Sequence, residues 1–219
     1  MANADLITLT HPRVAASEAY RTLRTNLIFS SISEPLKTLV VTSPAPGDGK
    51  STAAANLAVT LAQGGHSVIL VDADLRRPAQ HSIWGIDQQP GLTTMMLDDK
   101  AVPPLVESGV ENLWILPSGS APPNPADLIG SPQMDRITKQ LQDRAEFVLF
   151  DAPPVLAVSD APILATRTDG VLLVLRAGGT RRDDAELAKE LLDRIHVRIV
   201  GAVMLDVQAD TRMGAYYGE

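Results

Sequence analysis

The sequence contains no cysteine among its 219 residues. This absence excludes a disulfide framework, a zinc site with cysteine ligands and an iron–sulfur cluster, and it leaves the redox compartment undefined. Basic residues are in the minority, 19 against 26 acidic residues, so the formal net charge at pH 7 is −7. Because non-specific nucleic-acid binding requires a basic surface, we expect no nucleic-acid partner.

Long hydrophobic runs are also missing. No stretch approaches the roughly eighteen consecutive apolar residues of a membrane span, and residues 1–13 lack the pattern of a secretory signal. We therefore expect no direct membrane span and a cytoplasmic location. The composition, 45% hydrophobic and 21% charged residues over 219 positions, is typical of one globular domain with a substantial core.

Short apolar segments alternate with helical patterns along the chain. Segments typical of strands covered on both faces are 38–43, 67–72, 112–118, 146–151, 170–176 and 198–206. Helical patterns occupy 50–64, 131–144, 158–167 and 181–194. This alternation predicts right-handed βαβ units, and hence a doubly wound α/β fold with a mostly parallel sheet and helices on both of its faces.

The two ends of the chain differ from this alternating part. Residues 1–15 have no clear pattern and are predicted to form an N-terminal arm. In 17–31, apolar residues recur at every fourth position and predict an extra N-terminal helix. The single domain is predicted to span 16–207, and 208–219 to form a flexible C-terminal tail.

The stretch "SPAPGDGKST" over 43–52 ends like a phosphate-binding loop. The usual pattern is G-x-x-x-x-G-K-[ST], and here Pro44 stands in place of the first glycine. The loop still follows a predicted strand and precedes a predicted helix, as this motif requires. Gly47 and Gly49 allow a close approach of the backbone, so the N–H groups at the start of the helix can converge on phosphate oxygens.

The last residues of this stretch carry the expected chemistry. Lys50 is predicted to contact the β- and γ-phosphates, and Ser51 to ligate Mg²⁺. The alternative is a glycine turn before a helix with an exposed lysine. The well-formed strand and helix on either side favour the phosphate-binding loop.

Carboxylates follow two other predicted strands. "VILVDAD" places Asp72 at a strand end with Asp74 two residues later, and "FVLFDAPP" places Asp151 at the end of another strand. Ligands of parallel sheets bind at the carboxyl ends of the strands, so these side chains should face the loop. We expect Asp151 to hold Mg²⁺, Asp72 to act as base towards an incoming hydroxyl, and Asp74 to join the Mg²⁺ shell. The alternative is that each aspartate caps the next helix.

Together these stretches resemble the cytoplasmic bacterial tyrosine kinases that control capsule and exopolysaccharide synthesis, which have a P-loop NTPase fold. The resemblance covers nearly the whole chain and includes "SEAYRTLRTNL" (17–27), similar to the E-x-x-R-x-x-R helix of the family. The phosphate-binding loop of the family itself lacks the first glycine and reads S-x-x-P-G-[DE]-G-K-S. Pro44 therefore belongs to a known variant of the motif.

The resemblance implies ATP or ADP and Mg²⁺ as cofactors and assigns roles to particular residues. Nucleotide binding falls to Gly47, Asp48, Gly49, Lys50, Ser51, Thr52 and Asp206. The catalytic residues are Lys50, Asp72, Asp74 and Asp151, and the Mg²⁺ ligands are Ser51, Asp74 and Asp151. The implied reaction is autophosphorylation of C-terminal tyrosines.

The resemblance also implies partners. The phosphorylated tyrosines are usually those of a neighbouring subunit in a homo-oligomeric ring, supported here by Glu18, Arg21 and Arg24. A membrane-embedded activator of the polysaccharide co-polymerase type completes the nucleotide site. Because we expect no span in this chain, activator and kinase would be separate proteins, with the kinase peripheral at the inner face of the membrane.

The chain departs from the family pattern at two points. The tail carries only Tyr216 and Tyr217 as phosphoacceptors, where the family usually has several tyrosines. Asp206 stands at the end of the last predicted strand, where the family commonly has an asparagine near the base. An ionised carboxylate only accepts hydrogen bonds, so base recognition is expected to differ.

Other functions were weighed against this one. A partitioning or division-site switch ATPase usually has a lysine early in its loop, and no lysine lies between Lys37 and Lys50. An iron–sulfur carrier ATPase is excluded because the chain has no cysteine. A nucleotide-binding regulatory subunit with little kinase activity stays open, because the tyrosine cluster is reduced.

Overall fold

One sheet runs through the centre of the computed structural model, which describes residues 6–30, 36–98 and 100–207. Its strands within these residues are β1 (Thr38–Thr42), β2 (Val68–Asp72), β3 (Val106–Glu107), β4 (Leu113–Leu116), β5 (Phe147–Asp151), β6 (Gly170–Arg176) and β7 (Ile199–Leu205). Their spatial order is β3-β4-β2-β5-β1-β6-β7. Only β3, which is antiparallel to β4, departs from the parallel arrangement of this part of the chain.

Helices cover both faces of the sheet. In the described ranges they are α1 (Ile7–Thr10), α2 (Ala15–Ser30), α3 (Lys50–Gln63), α4 (Gln80–Trp84), α5 (Leu92–Leu97), α6 (Pro125–Ile129), α7 (Pro132–Gln142), α8 (Asp160–Ala165) and α9 (Arg182–Arg194). Residues of α2, α3 and α4 belong to one buried apolar cluster, and residues of α5 to α9 belong to another. The predicted doubly wound α/β fold is therefore confirmed.

Successive side chains of a strand point to opposite faces of the sheet, and so belong to different apolar clusters. In β1, Leu39 and Val41 pack towards α3, whereas Val40 packs on the opposite face. All five residues of β1 are buried, which explains why the segment reads as a continuous apolar run. The carboxyl ends of β1, β2 and β5 lie side by side, since β5 pairs with both of the others.

All strands and helices inferred from the sequence are present, with ends that differ by a few residues. The structure adds β3, α1, α4, α5 and α6, none longer than six residues. Elements this short contain less than two helical turns or a single strand pair, so they leave no periodicity in the sequence.

The described part of the predicted N-terminal arm contains the short helix α1. α1 packs against α3, where the Thr8 hydroxyl donates a 2.8 Å hydrogen bond to Asn56 Oδ1. α2 begins at Ala15, two residues before its predicted start. The predicted tail, 208–219, lies outside the described residues, as do Tyr216 and Tyr217. Among the helices of the described ranges, none has the length and apolar character needed to cross a membrane.

Candidate functional site

The loop between β1 and α3 has the backbone shape of an anion-binding turn. Gly47 and Gly49 have φ values of +89° and +86°, in the left-handed region that favours glycine. A Cβ atom added at Gly49 would lie 2.6 Å from Leu205 Cδ1. Asp48 accepts a 3.0 Å hydrogen bond at Oδ2 from the Ala45 amide and is 4% exposed, and its predicted contact with nucleotide remains a prediction. Its observed contact therefore closes the loop upon itself.

Lys50 lies at the first position of α3 and joins the loop to the carboxylates. Its Nζ is 2.9 Å from Asp74 Oδ2 and 3.2 Å from Asp151 Oδ1, and it donates a 3.2 Å hydrogen bond to Ser51 Oγ. Burial opposes the positive charge, but the carboxylates of Asp151 and Asp74 outweigh it and raise the pKa of Lys50 above its ordinary value. The alternative of an exposed lysine after a glycine turn is wrong, because Lys50 is buried.

Asp72 and Asp151 face each other across the pairing of β2 with β5, and both are 0% exposed. Asp72 Oδ2 accepts hydrogen bonds from the amides of Ala79 (3.0 Å) and Gln80 (2.9 Å) at the start of α4, so this oxygen caps a helix. Asp72 Oδ1 is buried and has no hydrogen-bond partner within residues 6–30, 36–98 and 100–207. Burial, and next the negative charge of Asp151, raise the pKa of Asp72 to about 8.

Gln80 is a residue of this site that the sequence reasoning missed. Its Nε2 donates to Asp151 Oδ2 (2.8 Å) and to the Ser51 carbonyl (3.1 Å), and its side chain is 0% exposed. The one sequence signal for Gln80 is its spacing, since a polar residue four positions before a tryptophan lies on the same face of a helix. No phosphate-binding or metal-binding motif includes this position.

A cavity of about 360 Å³ opens in front of the phosphate-binding loop. Its walls are Pro46, Gly47, Gly49, Lys50, Ser51, Thr52, Asp74, Arg76, Arg77, Pro153, Pro154, Ala157 and Val158. Arg76 donates to both oxygens of the buried Asp160, at 2.8 and 3.0 Å, and so ties the loop after β2 to α8. Of the three predicted catalytic carboxylates, only Asp74 lines this cavity.

The donor set fits a nucleotide with Mg²⁺. Ser51 Oγ, Asp74 and Asp151 supply oxygen ligands around Lys50 Nζ. The left-handed glycines give the loop the backbone shape that lets its N–H groups converge on an anion. Over the described residues, however, no three side chains of His, Cys, Asp or Glu are grouped so as to hold a metal ion by themselves. This agrees with Mg²⁺ chemistry, because Mg²⁺ commonly keeps several waters and shares ligands with phosphates.

Asp206 lies outside the walls of this cavity. Its Oδ2 accepts a 2.7 Å hydrogen bond from Arg176 Nε, while Arg176 Nη1 donates to the Gly47 carbonyl at 3.0 Å. The end of β7 is therefore fastened to the phosphate-binding loop through Arg176. The predicted contact between Asp206 and a base remains a prediction.

The three charged residues of α2 make contacts within the chain. Arg21 pairs with Glu18 and also donates to the Pro12 carbonyl. Arg24 Nη1 donates a 2.8 Å hydrogen bond to the carbonyl of Thr60 in the last turn of α3. Each therefore has a role within one subunit, and the predicted role between subunits remains a prediction.

The comparisons with known proteins agree with this geometry. Residues 35–207 match the ParA family, described as NUBPL iron-transfer P-loop NTPase. Tyrosine-protein kinase YwqD of Bacillus subtilis (strain 168) is 42% identical over 201 residues, which cover 91% of this chain and 85% of that protein.

Two solved structures are similar over most of their length. The kinase domain of the Escherichia coli tyrosine kinase ETK superposes with a TM-score of 0.90 at 29% identity, covering 96% of this chain and 83% of that one. The chimerical protein CapA2B2 superposes with a TM-score of 0.86 at 36% identity, covering 91% and 88%. The chain therefore belongs to the bacterial tyrosine kinase family of P-loop NTPases.

Proposed function

We propose that this protein is an ATP-dependent protein-tyrosine kinase that phosphorylates Tyr216 and Tyr217 of a neighbouring subunit. The observation that carries the proposal is the position of Lys50 Nζ, 2.9 Å from Asp74 and 3.2 Å from Asp151 at a glycine-rich loop. A glycine-rich loop, its lysine and nearby carboxylates able to hold Mg²⁺ are the groups that P-loop enzymes use for phosphoryl transfer. The named kinases among its relatives support the choice of tyrosine as acceptor.

Most of the site binds and orients the phosphates. When bound, Mg²⁺·ATP supplies the transferable phosphoryl group and additional positive charge. The backbone amides of 47–52 and the N-terminus of α3 bind phosphate oxygens. Lys50 neutralises negative charge on the β- and γ-phosphates, and Ser51, Asp74 and Asp151 hold the ion. Arg77 lines the cavity mouth and adds a cationic side chain there.

Asp72 is the proposed proton acceptor. Of the six carboxylate oxygens of Asp72, Asp74 and Asp151, only Asp72 Oδ1 has no hydrogen-bond partner among the described residues. A pKa raised to about 8 makes this carboxylate more basic than an ordinary aspartate once it is ionised. For this step Asp72, which is 0% exposed and does not line the cavity, has to become accessible to the tyrosine hydroxyl. As the tyrosine oxygen then bonds to phosphorus, its proton passes to Asp72, and the bond from phosphorus to the leaving ADP oxygen breaks.

The biological setting follows from the family. We propose that the kinase assembles as a ring through Glu18, Arg21 and Arg24, and works with a membrane-embedded polysaccharide co-polymerase. That partner would place it at the inner face of the membrane and link its activity to capsule or exopolysaccharide synthesis and export. Asp206 is the residue at which we propose contact with the nucleotide base.

The experiment is incubation of the full chain with ATP and Mg²⁺, with and without an equimolar fragment of the activator, followed by phosphopeptide mass spectrometry. The wild type should gain phosphate on Tyr216 and Tyr217, and Lys50→Met and Asp72→Ala should not. Lys189→Met is the matched control, because Lys189 is exposed and pairs with Asp193 on the surface of α9.

Tyr20 provides an internal control in the same experiment. It is 8% exposed, and burial followed by the charge of Asp206 raises its pKa to about 12. A folded acceptor should therefore gain no phosphate at Tyr20. ATP hydrolysis by the wild type without tail phosphate would contradict the kinase proposal and favour the regulatory or switch ATPase alternatives.

A further inference from the structure

Gln80 contacts both the carboxylate of Asp151 on β5 and the backbone of α3, the helix that follows the phosphate-binding loop. Its Nε2 bonds to Asp151 Oδ2 at 2.8 Å and to the Ser51 carbonyl at 3.1 Å. Its own amide donates to Asp72 Oδ2 at 2.9 Å. Gln80 thereby connects three of the segments that form the site: α3, β2 and β5.

The amide of Gln80 is fixed in one orientation. Trp84, one turn later on α4, donates its indole N–H to Gln80 Oε1 at 3.1 Å. Exchanging Oε1 and Nε2 would place an oxygen against the two acceptors and an NH₂ group against the indole N–H. The side chain is fully buried, so water cannot compensate for such an exchange.

This fixed amide determines how Asp151 is oriented. One oxygen of Asp151 faces Lys50 at 3.2 Å and the other faces Gln80 at 2.8 Å. The carboxylate is 0% exposed, so these two donors define its rotation about the Cβ–Cγ bond. Without Gln80, the plane of the carboxylate would be held from one side only, and one oxygen would lose its donor.

We propose that Gln80 is a positioning residue for Asp151, which sets the affinity of the site for Mg²⁺ without itself touching nucleotide or metal. The inference rests on the proposed function insofar as Asp151 is a metal ligand. Residues that orient a metal-binding carboxylate in this way typically change metal affinity when they are replaced. Trp84 holds the side-chain amide of Gln80 in place, and therefore affects the orientation of Asp151 indirectly.

The test is Mg²⁺-dependent binding of a fluorescent ADP analogue to the full chain, measured without any phosphorylation. In Gln80→Leu, which keeps the approximate side-chain volume, we expect the Mg²⁺ concentration at half-maximal binding to rise about tenfold or more. Affinity for the analogue in EDTA should stay within about twofold, because the phosphate-binding amides are untouched. A merely structural defect would weaken both.

Gln88→Leu is the matched control. Gln88 Nε2 donates at 2.8 Å to the Gly119 carbonyl, away from the cavity, so the same substitution removes a comparable hydrogen bond elsewhere. A thermal melt and a circular dichroism spectrum establish that each variant is folded. Gln88→Leu should bind Mg²⁺ and nucleotide as the wild type does.

Trp84→Phe keeps the proposal testable if Gln80→Leu does not fold. It removes only the indole N–H, and should shift the Mg²⁺ midpoint in the same direction by a smaller factor. Trp114→Phe, on β4, is its control. The intrinsic fluorescence of the Trp114→Phe protein comes from Trp84 alone, and we expect it to respond to Mg²⁺ in the presence of ADP.

The outcomes separate this inference from the kinase proposal. A folded Gln80→Leu protein with a wild-type Mg²⁺ midpoint overturns the positioning role, as does a wild-type protein whose ADP binding ignores Mg²⁺. If the wild type phosphorylates no tyrosine but the Mg²⁺ midpoint still shifts in Gln80→Leu, the kinase proposal fails and the role of Gln80 stands.

Discussion

Gly49 combines a backbone requirement with a packing requirement at one residue. Its φ is +86°, and a Cβ there would meet Leu205 Cδ1 at 2.6 Å. A non-glycine residue in the left-handed region costs roughly 1 to 2 kcal/mol, and displacing the leucine side chain adds to this. Gly49→Ala should therefore lower the free energy of unfolding in urea by more than this strain alone, and should weaken ADP binding.

Gly65→Ala is the control for that prediction. Gly65 also has a φ of +89°, but nothing lies within 4 Å of a Cβ added there. Gly65→Ala should lose only the free energy of unfolding that corresponds to backbone strain, and should bind ADP as the wild type does. Equal losses of stability and of ADP affinity in the two variants would contradict the account of Gly49.

Asp72 makes stability depend on pH. Its pKa rises from 3.8 to about 8 on folding, so the folded state holds the proton more tightly than the unfolded state. This contribution is fully present below pH 3.8, declines as the pH rises, and is lost through about pH 8. Asn at this position cannot ionise but retains an oxygen that can cap α4.

Asp72→Asn should therefore gain stability relative to the wild type between pH 5 and pH 8. The measurement is urea unfolding at the two pH values, in EDTA and without nucleotide, so that no ion shifts the titration. A difference between the two proteins that is the same at both pH values would show that Asp72 does not titrate as described. The variant should also lose tail phosphorylation.

At the scale of elements, α2 is fastened to the helix that carries the phosphate-binding loop. Arg24 Nη1 donates to the Thr60 carbonyl, one of the last carbonyls of α3, and its side chain packs beside Gly64. The Thr60 carbonyl also accepts a 3.1 Å hydrogen bond from the Gly64 amide, so Arg24 adds a second donor and a positive charge at the C-terminal end of α3. Arg24 therefore stabilises a single subunit, whatever it contributes to a ring.

Arg24→Ala should lower the free energy of unfolding by about 1 kcal/mol at every protein concentration. Arg21→Ala should lower it less, because the partners of Arg21 among the described residues are the partly exposed Glu18 and an exposed loop carbonyl. Light scattering at matched concentrations then shows whether either variant also changes the assembly. A loss of stability that disappears at low protein concentration would assign Arg24 to the subunit interface alone.

At the scale of the whole molecule, the sheet separates two apolar clusters that both depend on its central strand. Phe150 of β5 is fully buried in one cluster, and the preceding Leu149 is buried in the other. Phe150→Ala should cost about 3 to 5 kcal/mol, the usual range for a buried phenylalanine. Phe29→Ala, the same change at a side chain that is 65% exposed, should cost less than about 0.5 kcal/mol.

Thermal and urea unfolding measure this pair of variants directly. Because Asp151 follows Phe150 on the strand, Phe150→Ala should also weaken ADP binding, whereas Phe29→Ala should leave it unchanged. Equal stabilities for the two variants would contradict the assignment of β5 to the core.

The sequence by itself determined the fold class, the phosphate-binding loop and the three strand-end aspartates. These features are local, since apolar runs, glycines and Asp at a strand end are all visible within about ten neighbouring residues. Only the tertiary structure decided how the aspartates differ. Asp74 lines the cavity, and Asp151 is held between Lys50 and Gln80. One oxygen of Asp72 caps α4, while the other has no partner in the part of the chain that the structure describes.

The physical reason is that the environment of a side chain depends on residues distant in sequence. Gln80 bonds to Asp151, 71 positions away, and Arg176, which also bonds to Asp206, bonds to Gly47, 129 positions away. No local pattern encodes such contacts, because they arise only when the sheet brings separate strand ends and loops together. Residue types therefore specify which chemistry is available, and the packing of the chain specifies which atom performs it.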